Sequence, residues 1–140
     1  MHVRVGQRAQ RGVLIAALVL CSIGLAACGR TDPSDAIRVA WTIDPSPPLV
    51  GEPIVALLSL HDSNQKPITG ARLRLEGVMS HPGMAPVTAA VVERGEGVYE
   101  AALRFTMGGD WILVVSGTLP DGMAFKKQIE INGVRQIHSA

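Results

Sequence analysis

Hydrophobic and polar residues alternate with a period of two along most of the chain after residue 36. This alternation places apolar side chains on one face of an extended strand and polar side chains on the other. The pattern therefore predicts an all-β domain of about seven short strands. The predicted ranges are 37–43, 54–61, 71–76, 87–93, 98–105, 111–118 and 123–132.

Turn-forming residues separate these segments. The proline-rich run 44–48 ends the first strand, and Arg94–Gly97 joins the fourth strand to the fifth. Short strands separated by turns about every ten residues are typical of an antiparallel sandwich. We therefore predict an immunoglobulin-like antiparallel β-sandwich after an N-terminal signal segment. The second strand is apolar on both faces and is predicted to be central, and Trp41 and Trp111 are predicted core anchors.

The N-terminal segment has a different pattern. Three arginines precede the apolar run 13–27, which ends in two small residues, Ala26 and Ala27. A basic start, an apolar middle and small residues before a cleavage point indicate a secretory signal. The apolar run is shorter than the roughly 17–25 residues that span a bilayer. An uncleaved membrane anchor is the alternative.

Cys28 follows a leucine and two alanines, and this arrangement resembles the lipobox of bacterial lipoproteins. We therefore expect residues 1–27 to be a signal peptide and Cys28 to carry lipid. The expected organisation is then a tether over 28–36, one domain over 37–132 and a C-terminal tail over 133–140. The lipid would hold the protein on the extracytoplasmic side of a membrane in the cell envelope.

The charge and cysteine content of the expected mature chain exclude some classes. Three of the 13 basic residues lie in the signal, which leaves 10 against 12 acidic residues. This balance argues against nucleic-acid binding, which requires a basic surface. Cys21 would be removed with the signal and Cys28 would be lipidated, so no disulfide is expected. The fold must then be stabilised by a hydrophobic core.

The sequence shows no recognisable catalytic constellation. His61 and Asp62 are adjacent at a strand end, but no serine or cysteine lies in a recognisable nucleophile motif. Residues 80–92 contain no carboxylate, so they suggest no acid–base pair. No glycine-rich phosphate loop precedes a predicted helix. We therefore predict that the protein is not an enzyme.

The segment 79–86, Met-Ser-His-Pro-Gly-Met-Ala-Pro, is the best candidate for a metal site. Pro-Gly fits the central positions of a type II turn, with His81 and Met84 as its outer residues. Met79 would project on the same side as His81 if the strand continues that far. Thioether and imidazole ligands suit Cu(I), whereas zinc fits poorly without a second histidine or a thiolate.

The methionines also have a purely structural interpretation. Methionine fills irregular gaps in cores, so Met79 and Met84 are alternatively packing residues at one end of the sandwich. Met107 and Met123 are alternatively core or loop-packing residues for the same reason. His61 is interpreted as a polar strand end, and His138 belongs to the tail.

Several segments together resemble the YtkA-like domain. They are Gly51–Pro53, Gly70–Ala71, the loop 79–86, Gly97–Ala101 and Phe105–Trp111. The resemblance covers the chain from about residue 37 to residue 131. The methionine–histidine loop and the Met-Gly-Gly-Asp-Trp segment are its most specific parts.

The resemblance implies a small, non-enzymatic, extracytoplasmic β-sandwich, of a family whose members are often lipoproteins. The YtkA-like family is similar to the FixH group, which is linked to copper supply for respiratory oxidases. On this basis Met79, His81 and Met84 are carried over as Cu(I) ligands, with Met107 as a fourth. The expected partners are the membrane and a copper-handling or oxidase-assembly protein. The alternative function is an envelope interaction or scaffold domain without metal.

Overall fold

The computed structural model describes residues 33–79, 81 and 83–137. The predicted signal peptide, Cys28 and His138 lie outside these residues. A short 3-10 helix, Pro33–Ala36, occupies the end of the predicted tether and precedes seven strands. These are β1 (Arg38–Asp44), β2 (Pro53–His61), β3 (Arg72–Val78), β4 (Val87–Gly95), β5 (Val98–Arg104), β6 (Gly109–Thr118) and β7 (Ala124–Val134).

The seven predicted strands are confirmed, with ends that agree within two residues. They pair antiparallel in the order β1-β2-β5-β4-β3-β6-β7. Strand β4 belongs to both sheets of the sandwich. Its residues 87–90 pair with β3 in one sheet, and its residues 91–95 pair with β5 in the other. A strand that changes sheets in this way closes one side of a sandwich. The predicted immunoglobulin-like β-sandwich is therefore confirmed.

Alternation along the strands places the apolar side chains in one core. On β5 and just after it, the inward residues are all buried, as predicted: Tyr99, Ala101, Leu103 and Phe105. Trp111 is only 1% exposed and its ring centroid lies 5.1 Å from that of Phe105. The predicted role of Trp111 as a core anchor is confirmed.

The same prediction is wrong for Trp41, whose side chain is 41% exposed. Trp41 lies opposite buried Leu58, so it projects from the inner face of its strand. However, β1 is an edge strand, and the sandwich is not closed between β1 and β7. Trp41 and Ile129 line an open groove of about 380 Å³ at this gap. The tryptophan is exposed because no strand covers it there.

Strand β2 is interior, as predicted, because it lies between β1 and β5. Its second apolar face is nevertheless not covered. Ile54 and Leu58 are buried, whereas Val55 and Leu57 are each 38% exposed. The apolar pattern on both faces therefore correctly predicted that β2 lies inside the sheet. It did not show that one of those faces is left partly exposed.

Loops from both sheets meet at one end of the sandwich. The loops 79–86 and 105–108 lie there, and we refer to these two loops as the methionine end. Neighbouring segments at this end are joined by backbone hydrogen bonds. Gly51 N–H donates to the carbonyl of Phe105 at 2.9 Å, and Arg135 N–H donates to that of Pro48 at 3.0 Å.

Strand β7 continues to Val134, within the segment 133–140 that is predicted as the tail.

Candidate methionine site and cationic groove

Met79 follows the last residue of β3 and lies at the start of the methionine end. It is partly buried and packs against the core. Its Cε atom lies 3.3 Å from the position that a Cβ would occupy on Gly109, the first residue of β6. Met79 therefore lies close to the backbone at the start of β6, two residues after Met107.

His81 and Met84 lie further along the same loop. His81 is exposed and Met84 is half-buried. Gly83 has φ of +86°, which is close to the value that the third position of a type II turn requires. Ser80 and Pro82 lie outside the described residues. The predicted turn and the convergence of His81 with Met84 therefore stay predictions.

Met107 lies in the second loop of the methionine end, and its side chain is 42% exposed. Its carbonyl oxygen accepts a hydrogen bond of 3.0 Å from Nε1 of Trp111. Because Trp111 is anchored in the core, this bond fixes the backbone that carries Met107. The side chain of Met107 therefore lies at the surface, on a backbone segment that this hydrogen bond holds in place.

The methionine end thus presents thioethers from two loops together with one imidazole. Such soft ligands favour Cu(I) over hard cations. Across residues 33–79, 81 and 83–137, no group of three or more His, Cys, Asp or Glu side chains is arranged to hold a metal ion. Met123 differs from the four candidates: it lies between β6 and β7 at the other end, where it packs against the core.

Asp62 has a structural role in its turn. Its Oδ1 accepts hydrogen bonds from the backbone N–H groups of Asn64 and Lys66, at 2.8 and 2.9 Å. The neighbouring His61 lies opposite Arg38 in the β1–β2 ladder. The carboxylate therefore holds the turn that follows β2.

A second polar surface lies on the outer face of β3, β6 and β7. Arg72, Arg74 and Lys126 border an open groove of about 620 Å³, together with Ser116 and Thr118. We refer to these five residues as the cationic groove. The sequence indicates that the two arginines share the polar face of one strand. It carries no local signal that Lys126, more than fifty residues later, lies beside them.

No helix in the described part of the chain is both long and apolar enough to cross a membrane. The search of curated proteins found no match. Among solved structures, the chain is similar to the filamin domain of Lin-41 in a crystal structure, with a TM-score of 0.46 and 13% sequence identity. That alignment covers 68% of this chain and 91% of the other. The family model described as YtkA-like matches residues 33–116, which is more than half of the chain, and the protein therefore belongs to the YtkA-like family.

Proposed function

We propose that this protein is a membrane-anchored extracytoplasmic lipoprotein that holds Cu(I) at the methionine end and passes it to a partner, without catalysing a reaction. The observation that supports this proposal best is the contact of Met79 with Gly109. This proximity supports a single site to which the loop bearing Met79 and His81 and the loop bearing Met107 both contribute. Two loops on a rigid sandwich then supply soft ligands to one place.

The exposure of the candidate ligands suits transfer rather than permanent storage. His81 and Met107 are accessible to solvent, whereas Met79 is partly buried. A partner's ligands would therefore reach the ion from the solvent side and replace His81 and Met107 one at a time. The partner that we propose is a copper-handling or respiratory-oxidase assembly protein of the envelope.

A competition experiment with a chromogenic Cu(I) chelator tests the metal site. We expect the wild-type chain to withdraw Cu(I) from the chelator and a His81→Ala, Met107→Leu variant to lose that ability. Leucine keeps the volume and apolar character of methionine, so the fold should be retained. Met123→Leu, at the opposite end, is the matched control. Equal competition by wild type and the double variant would contradict the copper proposal.

Membrane anchorage is supported by the N-terminal pattern and by Cys28, which lies five residues before the described domain begins at Pro33. Mass spectrometry of protein from a membrane fraction should find a chain that begins at Cys28 and carries acyl groups. A Cys28→Ser variant should lose the acyl groups. An unmodified N-terminus at Met1 would contradict the anchorage.

A scaffold function is the second candidate, and the rigid backbone of this end of the sandwich favours it. The bond between Gly51 and Phe105 and the bond between Arg135 and Pro48 tie three segments together. A rigid group of loops is a common surface for protein contact. A stable envelope partner that is lost on deletion of residues 80–85, and is retained with a copper chelator present, would favour this function.

A further inference from the structure

Strand pairing assembles the cationic groove from distant parts of the chain. Arg74 lies opposite Ser116, which lies opposite Lys126, while Arg72 lies opposite Thr118 in the next row. Neighbouring strands are about 4.8 Å apart, so the row from Arg74 to Lys126 spans about 10 Å. Two guanidinium groups, one ammonium group and two hydroxyl groups therefore border one shallow depression.

The groove cations have no acidic partner among the described residues. The ion pairs found there join Arg94 to Glu100 and Lys127 to Asp35. Arg72, Arg74 and Lys126 take part in neither. Their charges are therefore available to an external anion.

Charge is segregated along this outer face. Its acidic residues lie towards the methionine end: Glu76 on β3, Asp110 on β6 and Glu130 on β7. Asp110 is also engaged within the sheet, since its Oδ1 accepts a hydrogen bond from the Gly133 N–H at 2.9 Å. An anionic surface would therefore attract one half of the face and repel the other.

The end of the sandwich beyond the groove carries acidic residues that already accept hydrogen bonds within the protein. Asp62 holds its own turn, Glu93 accepts from the Gly70 N–H, and Asp121 accepts from the Met123 N–H. Asp62 and Asp121 lie in turns at the tip of the sandwich, and Glu93 lies near the end of β4 at the same tip. A flat anionic partner is therefore expected to contact the face of the sheet and not its tip.

The chain enters the folded domain beside the groove. Ser34, in the 3-10 helix, lines the same depression. The adjacent Asp35 reaches Lys127 of β7 at 3.8 Å. Cys28 lies six residues before Ser34. At most about 3.5 Å per residue, this tether limits the distance between lipid and groove to about 20 Å.

We infer that the cationic groove docks the domain on the anionic phospholipid headgroups of the membrane in which the protein is anchored. Arginine binds phosphate oxygens through paired N–H donors, and the hydroxyl groups of Ser116 and Thr118 add further donors. The open shape of the groove suits a surface and not an enclosed molecule. The inference rests on the proposed lipid anchor. The methionine end lies about 20 Å from the groove, the length of β3.

Vesicle binding by residues 31–140, without the anchor, tests the docking. This segment is a compact unit that contains all seven strands and the core, so it is expected to fold alone. We expect it to co-sediment with phosphatidylcholine vesicles that contain phosphatidylglycerol, and not with phosphatidylcholine alone. Each basic residue near such a surface strengthens binding about fivefold. The Arg72→Gln, Arg74→Gln, Lys126→Gln variant should therefore bind roughly a hundredfold more weakly.

The matched control removes the same charge elsewhere, as Arg38→Gln, Lys66→Gln, Arg135→Gln. Equal weakening by both triple variants would overturn the inference, because binding would then follow net charge alone. Failure of the wild-type segment to bind anionic vesicles would also overturn it. Saturable binding of inorganic phosphate without vesicle binding would overturn it in favour of a soluble anion.

The orientation of the docked domain gives an independent readout. Residues 29–140 contain no cysteine, so a single one can be introduced and labelled with an environment-sensitive fluorophore. A label at Ser116→Cys, in the groove, should shift to the blue with anionic vesicles. A label at Ser59→Cys, on the outer face of the other sheet, should not. A reversed pattern would overturn the assigned face. Because the segment lacks Cys28, these results are independent of whether the full chain is lipidated.

Discussion

Tyr99 donates a hydrogen bond from its hydroxyl group to the carbonyl oxygen of Ile68, at a distance of 2.8 Å. The same hydroxyl accepts a bond of 3.1 Å from the backbone N–H of Ala71. Tyr99 is 1% exposed, so both bonds lie at the edge of the core. One side chain of β5 thereby fixes the long connection between β2 and β3.

Removing this hydroxyl should destabilise the domain measurably. In Tyr99→Phe, the carbonyl of Ile68 and the N–H of Ala71 lose their partner in a poorly hydrated place. We expect the free energy of unfolding to fall by about 1–3 kcal/mol, as measured by urea denaturation. Ser59→Ala, which removes a hydroxyl from an outer sheet face, is the control and should change it little. An unchanged stability in Tyr99→Phe would contradict the structural role of the bonds.

The ionisation of Tyr99 should reduce stability at high pH. Burial disfavours the phenolate, so the pKa of Tyr99 is raised above its ordinary value of 10.0. An acid whose pKa is higher in the folded state stabilises the fold fully below 10.0 and loses this contribution as the pH rises through the folded value. Because the chain has one tyrosine, ultraviolet absorbance of its phenolate measures the pKa directly. A folded-state midpoint at or below 10.0 would contradict this prediction.

The two tryptophans should differ strongly in their effect on stability. Trp111→Ala removes a side chain that is 1% exposed and contacts Phe105, so we expect a loss of about 3–5 kcal/mol. Trp41→Ala changes a partly exposed residue of an edge strand and should cost much less. Thermal and chemical denaturation of the two variants provide the comparison. Similar losses in both would show that the open side of the sandwich is covered in solution.

Arg94 should keep Glu100 ionised at low pH. Its Nε and one terminal nitrogen donate to the two carboxylate oxygens of Glu100, at 3.1 and 2.7 Å. This hydrogen bonding lowers the pKa of Glu100 below its ordinary value of 4.5. A carboxyl group whose pKa is lower in the folded state stabilises the fold fully above pH 4.5. This contribution is lost as the pH falls through the folded-state pKa. Titration by NMR should show the midpoint of Glu100 rising in Arg94→Gln, and an unchanged midpoint would contradict the pairing.

Gly117 should tolerate no side chain. A Cβ at this position would lie 2.5 Å from the carbonyl oxygen of Arg72, which belongs to the neighbouring strand and cannot move aside alone. We expect Gly117→Ala to destabilise the domain by about 1–3 kcal/mol, as overpacking does. Ser116→Ala, one residue earlier on the outer face, is the control in the same denaturation experiment. Wild-type stability in Gly117→Ala would show that β3 and β6 lie further apart.

The prediction of strands succeeded because its signal is local. Tyr99, Ala101 and Leu103 alternate with exposed or half-buried neighbours, and this requires only the pleat of a single strand. The prediction failed for Trp41 because alternation does not reveal which strand lies at an edge. Alternation also does not reveal whether another layer covers the outer face of a sheet, and the outer face that carries Val55 and Leu57 is left partly exposed.

The candidate site was predictable only in part. The sequence identified Met79, His81 and Met84 as one loop, because they are close along the chain. That Met79 contacts Gly109, and so approaches the loop of Met107, depends on the pairing of β3 with β6. The cationic groove depends on the register of three strands and therefore has no local signature.

The sequence by itself determined the strands, the turns between them and the face on which each side chain projects, because a period of two and turn-forming residues act over a few residues. Tertiary structure alone decided that β4 changes partners midway and that β1 and β7 are left as edges. It also decided that Arg72, Arg74 and Lys126 share one groove. Those outcomes follow from pairing and register between segments far apart in the chain, which are selected by packing the whole core.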